Sequence, residues 1–256
     1  MIEDWSLFPF DLINPKSYFY SVIVQPNLIY PSERLESANL IVSCAPTWDY
    51  DSQVDSYQEK TVKPGPLLNI SKEEESLDRE KSREDLGANP EAFIITVLAG
   101  GGTYGLELYD LVVRCIPELK SIFRNLLIYF IVGPHASYCS LEQYKRLGIC
   151  VRRCVPSTFS YFRASDVVIS QGGFQTLMEI LKSEASAVFF PRRREQRLNL
   201  NRFPFPWFRT LDALNPKKLS ELIREVSAVK ARIHLEIANG ASIAARSIRQ
   251  LYLKSK

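Results

Sequence analysis

Two segments of this chain share one order: a strand-length apolar run, a glycine turn, then apolar residues at helical spacing. The first is Phe-Ile-Ile-Thr-Val-Leu at 93–98, followed by Gly100, Gly101, Gly102, Thr103, Tyr104 and Gly105. Leu108, Leu111, Val112, Cys115, Ile116 and Leu119 then recur at helical intervals. The second is Asp-Val-Val-Ile-Ser at 166–170, followed by Gln171, Gly172 and Gly173 and a helix over 177–182. Further apolar runs at 126–132 and 187–190 have strand length, and 217–226 and 238–253 are amphipathic helices. Strands buried on both faces read as continuous apolar runs, and their alternation with helices predicts βαβ units. The expected fold is therefore α/β, a doubly wound parallel sheet.

The remainder of the chain is less regular. Residues 1–66 hold two short apolar runs, at 20–24 and 39–43, amid turn-rich sequence with Pro26 and Pro31. Two strands do not make a stable sheet alone, so this piece is expected to be the remnant of a larger domain. Residues 67–90 follow Pro64-Gly65-Pro66 and are dense in Glu, Lys, Asp and Arg, the pattern of a solvated helix or linker. Residues 91–256 then form the main domain.

Composition excludes several classes. The net charge is +3, and the densest basic cluster is Arg192-Arg193-Arg194, too little for a nucleic-acid track. The five cysteines, Cys44, Cys115, Cys139, Cys150 and Cys154, include no C-x-x-C pair, which excludes a zinc ribbon and points to free thiols. No run approaches the roughly 20 apolar residues of a membrane span. The first residues lack a signal-peptide pattern, so a cytoplasmic location is expected.

The first glycine turn satisfies G-x-G-x-x-G. Glycine admits left-handed backbone and close phosphate approach, and the following helix start offers unpaired N–H groups. A dinucleotide site also needs an acidic residue closing the second strand. Here that strand ends Ile131-Val132-Gly133-Pro134-His135, without a carboxylate. A P-loop is excluded because no Gly-Lys-Ser/Thr follows. The turn is then either a phosphate cradle or a tight turn that packs a helix on a strand. His135 is read as an ordinary loop histidine and His234 as a surface one.

The second turn repeats the logic, and two such turns at strand ends suit a diphosphate better than one. Glu179 lies three residues after Thr176. The pair reads equally as a capping box or as a carboxylate that accepts ribose hydroxyls. Glu195, Gln196 and Asn199 follow the strand at 187–190 and Pro191. They are either an exposed helix start or donors and acceptors for sugar hydroxyls.

Taken in order, Gly-Gly-Gly-Thr, Ala-Ser-Asp-Val-Val-Ile-Ser-Gln-Gly-Gly, Thr-Leu-Met-Glu and Glu-Gln-x-x-Asn resemble the donor-binding C-terminal domain of GT-B glycosyltransferases. The closest likeness is to family 28, the group of the bacterial lipid-intermediate N-acetylglucosamine transferase and the plant galactolipid synthases. It covers about residues 60–256. The resemblance implies a Rossmann-like domain for a UDP-sugar. Gly101, Gly102 and Thr103 match the first cleft loop, Gly172, Gly173 and Thr176 the diphosphate loop, and Glu179 the ribose glutamate. Glu195, Gln196 and Asn199 match the sugar-gripping set, and Val155 falls near the backbone that reads uracil. No metal or other cofactor is implied, and no Asp-x-Asp is present.

Departures from the family are Gln171, where relatives carry His or Ser, the Arg192–Arg194 triplet, and the aromatic-proline stretch at 203–208. The resemblance also implies that about the first hundred residues of the acceptor domain are missing, and the catalytic base with them. Three functions follow: a hexosyltransferase half completed by a separate acceptor-domain partner, with peripheral membrane association through that partner or a lipid acceptor; a degenerate nucleotide-binding module; or a UDP-sugar epimerase of the same fold.

Overall fold

The computed structural model describes residues 2–4, 21–26, 28–46, 48–49, 51–100, 105–134, 141–229 and 235–254. The chain divides into two compact units, Asn69–Leu235 and Met1–Leu68 with Glu236–Lys256.

Among its described residues, the larger unit holds six parallel strands: β5 (Phe93–Leu98), β6 (Leu126–Ile131), β7 (Cys150–Arg152), β8 (Val167–Ser170), β9 (Ser186–Phe189) and β10 (Phe208–Thr210). Their spatial order is β10-β9-β8-β5-β6-β7. The chain therefore starts at the centre, steps outward twice, returns to the other side of β5 and steps outward again. That is the doubly wound order with its switch point between β5 and β8. Ile94, Ile95 and Val97 of β5 and Val167, Val168 and Ile169 of β8 are all fully buried, as helices on both faces require. On one face, α4 (Leu106–Ile122) and α9 (Pro216–Ser227) turn Leu108, Leu111, Val112, Cys115, Leu119, Leu219, Ile223 and Val226 into the core. On the other lie α6 (Phe159–Ala164) and α7 (Phe174–Ser183), with Phe159, Phe162, Leu177 and Met178 buried.

The charged segment takes the helical of its two expected forms. It forms α2 (Lys72–Glu75), opened by a Ser71–Glu74 capping box, and α3 (Arg79–Asp85), capped by Asp78. Arg79 and Arg83 converge on Asp166 at the start of β8, with Arg83 at 2.8 Å. Arg83 also donates to the carbonyls of Ala164, Pro90 and Ala92. Asp166 accepts in addition from the Ile94 N–H at 2.7 Å. Two arginines in a charge run are thus structural anchors, because one half-buried carboxylate collects them.

The smaller unit is a parallel sheet ordered β1-β2-β3-β4: β1 (Ile2–Asp4), β2 (Ser21–Val24), β3 (Leu40–Ser43) and β4 (Thr61–Val62). Val22, Val24 and Ile41 pack on one face with Tyr30, Leu35, Ala38 and Val54. Leu40 and Val42 face the other side and meet Ala244, Ile248 and Leu251 of α10 (Ala241–Lys254). Sequence grouping placed all of 91–256 in one domain, but residues 236–256 pack here. The physical reason is local: the Gly240 N–H donates to the Pro66 carbonyl at 2.8 Å. The Asn239 side chain also brackets Leu68, accepting from its N–H and donating to its carbonyl. A Cβ on Gly240 would stand 2.6 Å from the Pro64 carbonyl oxygen, so only glycine permits this approach.

Candidate functional site

Parallel pairing aligns the strand ends that bear the two glycine turns. Leu98 at the end of β5 pairs with Ser170 at the end of β8, and Ser170 pairs with Phe189 at the end of β9. The turns are thus on neighbouring strands at the switch point, where open α/β sheets bind ligands.

After β5, Gly100 is left-handed with φ +54°. Gly101, Gly102 and Thr103 lie outside the described residues, as do His135 and His234. Gly105 opens α4, and a Cβ there would lie 2.6 Å from the Tyr109 ring. That ring is buried, and its hydroxyl accepts from the Ala99 N–H at 3.2 Å and donates to the Ile131 carbonyl at 3.0 Å. Burial holds the phenol far above its ordinary pKa, so it stays a neutral donor. The described part of this turn is a packing device. The first turn of α4 also bears Glu107, whose carboxylate pairs with Arg192 at 2.6 Å.

After β8, Gly172 has φ +79°, and its N–H donates to the Ser170 hydroxyl at 3.2 Å. A Cβ at Gly172 would stand 3.2 Å from three atoms of Leu200. Gly173 is the N-cap of α7, with no side-chain cap and no acidic residue in the first turn. This helix start therefore presents uncapped N–H groups and the positive dipole end. Thr176 sits half-buried inside its first turn.

Because the cap is Gly173, Thr176 and Glu179 do not form the capping box that their spacing permits. Glu179 is 4% exposed, and its carboxylate has three donors. Thr158 Oγ1 donates to Oε2 at 2.6 Å, Gln175 Nε2 to Oε1 at 3.0 Å, and the Asn69 N–H to Oε1 at 3.4 Å. Gln175 is visible from sequence as the i, i+4 partner of Glu179. Thr158 and Asn69 carry no sequence signal, since other strands and turns bring them there.

The three residues after β9 separate in role. They belong to α8 (Arg194–Arg202). Asn199, 3% exposed, donates to the Gly172 carbonyl at 3.4 Å and so steadies the glycine turn. Gln196 Oε1 accepts from the N–H groups of Arg192 and Arg193 at 2.7 and 3.0 Å, closing the helix start. Glu195 is half-buried and lies 3.7 Å from the Arg193 guanidinium. Among the described residues, no group of His, Cys, Asp or Glu is arranged to hold a metal ion. Among the same residues Cys44, Cys115, Cys150 and Cys154 are free thiols, and burial pushes Cys115 up to about 11.

Residues 95–205 match the family model described as the glycosyltransferase family 28 C-terminal domain. An uncharacterized glycosyltransferase of Methanopyrus kandleri is 26% identical over 215 residues, 81% of this chain and 59% of that one. A UDP-N-acetylglucosamine–N-acetylmuramyl-(pentapeptide) pyrophosphoryl-undecaprenol N-acetylglucosamine transferase of Chlamydia trachomatis is 31% identical over 109 residues, 41% of this chain and 30% of the relative. This chain thus spans only part of the length of these relatives. Among solved structures, the glycotransferase of kitacinnamycin aligns with TM-score 0.57 at 18% identity, over 87% of this chain and 54% of that one. The UDP-GlcNAc 2-epimerase of Methanocaldococcus jannaschii, solved with UDP-GlcNAc and UDP, aligns with TM-score 0.54 at 12% identity, over 92% and 75%. These likenesses establish the GT-B fold.

Proposed function

We propose, from the match of residues 95–205 to the glycosyltransferase family 28 C-terminal domain, that the chain supplies the nucleotide-sugar side of a hexosyl transfer. The observation that carries the reading is the pairing of an uncapped, acid-free helix start at Gly173 with the buried carboxylate of Glu179 two turns further along α7. A diphosphate suits the first and ribose hydroxyls the second.

In this reading the donor is a UDP-sugar. Gly172 and Gly173 receive its diphosphate with Thr176 beside them, and Gly101, Gly102 and Thr103 are assigned to the same nucleotide by their match to the family's first glycine loop. Glu195, Gln196 and Asn199 hold the sugar, and Asn199 also donates to the Gly172 carbonyl. An acceptor hydroxyl attacks the anomeric carbon, the bond from that carbon to the diphosphate oxygen breaks, and UDP departs. The helix dipole and N–H groups of α7 stabilise the charge that develops on the leaving oxygen. The base that takes the acceptor proton belongs to an acceptor side, on the same polypeptide or on a partner protein. An acceptor lodged in a membrane surface would bring the protein to that surface; among the described residues no helix is long and apolar enough to cross a bilayer.

Calorimetric titration with UDP tests the reading. Wild type binds, and Glu179→Ala weakens binding by roughly 1.5–3 kcal/mol, about tenfold to hundredfold, for a lost charged hydrogen bond. Wild type that binds no nucleotide overturns it. A second reading, the epimerase, draws on the fold likeness to the Methanocaldococcus enzyme. It requires turnover of UDP-sugar without any acceptor, whereas the transferase reading requires an acceptor side for turnover.

A further inference from the structure

Thr158 occupies the N-cap of α6, a position where a threonine hydroxyl ordinarily accepts from the helix's own N–H groups. Here it makes no capping bond. The Phe159 N–H is taken instead by Ser157 Oγ at 3.1 Å. The Thr158 hydroxyl turns away from its helix and donates across 21 positions of sequence to Glu179 Oε2 at 2.6 Å. On the other oxygen, Gln175 Nε2 donates at 3.0 Å. The segment before Thr158 is fastened as well, because Asn69 Nδ2 donates to the Pro156 carbonyl at 2.9 Å. A carboxylate held by Thr158 on Oε2 and by Gln175 and the Asn69 N–H on Oε1 is restrained from rotating about its terminal bond. Each oxygen carries two lone pairs, so a lone pair remains on Oε2 for a ligand hydroxyl.

We propose that Thr158 is a positioning residue for the ribose carboxylate: it aims Glu179 so that the remaining Oε2 lone pair reads a ribose hydroxyl. The inference rests on the nucleotide reading given above and adds a residue outside the matching motifs. Thr158 has helical backbone (φ −89°, ψ −12°) and Ser157 caps the helix start, so the Thr158 hydroxyl is not engaged by its own helix and is left for the carboxylate. Two further consequences follow from the same geometry. Serine at position 158 keeps the donor and preserves the aim. Valine keeps the shape, removes the donor and frees the carboxylate to rotate.

The experiment compares UDP with 2′-deoxy-UDP by calorimetric titration on the full chain, for wild type, Thr158→Val, Thr158→Ser and Gln175→Met. Wild type prefers UDP. Thr158→Val weakens UDP roughly tenfold, the scale of one charge-assisted hydrogen bond, and brings the preference for the ribo form close to one. Thr158→Ser restores both the affinity and the preference. Gln175→Met, which strips the donor from the other oxygen, lowers the preference too and serves if the valine variant does not fold. Unchanged or tighter UDP binding in Thr158→Val overturns the inference, since the hydroxyl would then be idle or a competitor. Weaker binding with the ribo preference intact also overturns it, because that is the mark of a merely structural residue. Wild type that binds neither nucleotide overturns the nucleotide reading itself, a result distinct from either of these.

Discussion

The turn after β5 and the turn after β8 have the same sequence logic and emerge from paired residues, Leu98 and Ser170. Their helix starts nevertheless differ in electrostatics. The start of α4 contains Glu107, neutralised by Arg192, and its Gly105 is pressed against the Tyr109 ring. The start of α7 has neither acid nor side-chain cap, and its left-handed Gly172 is held by Ser170, Asn199 and Leu200. A glycine turn therefore does not mark an anion site by itself. What the first helical turn contains, and whether its dipole end is already countered, distinguishes the two.

The largest effect that sharpens this contrast is expected from Gly172→Ala. The left-handed backbone and the 3.2 Å approach to Leu200 together cost about 2–4 kcal/mol. Denaturant unfolding should show that loss, and UDP affinity should fall with it. Gly105→Ala comes next, at about 1–3 kcal/mol from crowding the buried Tyr109 ring. In that variant the protein that remains folded should bind UDP with nearly wild-type affinity. A loss of binding as large as that of Gly172→Ala would break the distinction between the turns. The smallest effects come from exchanging charge. Glu107→Gln should destabilise α4 by about 0.3–1 kcal/mol and leave UDP binding unchanged. Thr176→Glu should stabilise α7 by a similar amount while weakening UDP severalfold, because the new carboxylate meets the diphosphate. Equal binding losses from both charge changes would show that the two helix starts act alike.

Much of the larger unit was legible because its information is local. The runs at 93–98, 126–132 and 166–170 are continuous and apolar, and the spacing of Leu108, Leu111, Val112, Cys115 and Leu119 is helical, so each element announces itself. The structure shortens the third strand to Val167–Ser170, since Asp166 is spent on Arg79, Arg83 and the Ile94 N–H. The charged stretch at 71–82 was less legible. Only the fold reveals that two of its arginines have a single distant carboxylate as partner. At the candidate site, Glu179 was visible as a residue but not as a network. Its capping alternative fails because Gly173, not Thr176, is the N-cap. Spacing grouped Asn199 and Gln196 with Glu195, but it did not show that Asn199 also donates to the Gly172 carbonyl or that Gln196 Oε1 accepts from the start of its own helix.

By itself, the sequence determined the element types, the parallel doubly wound class and the glycine turns, because burial on both faces and helical periodicity are written within a few residues of each position. Tertiary structure decided which strands are neighbours, and so that two turns some seventy positions apart share one rim. It also decided that the C-terminal helix, equally amphipathic for any sheet, packs on Leu40 and Val42. And it decided that the Thr158 hydroxyl abandons its own helix for Glu179. In each case the deciding term is a contact between distant segments, available only once the chain has closed the loop that brings them together.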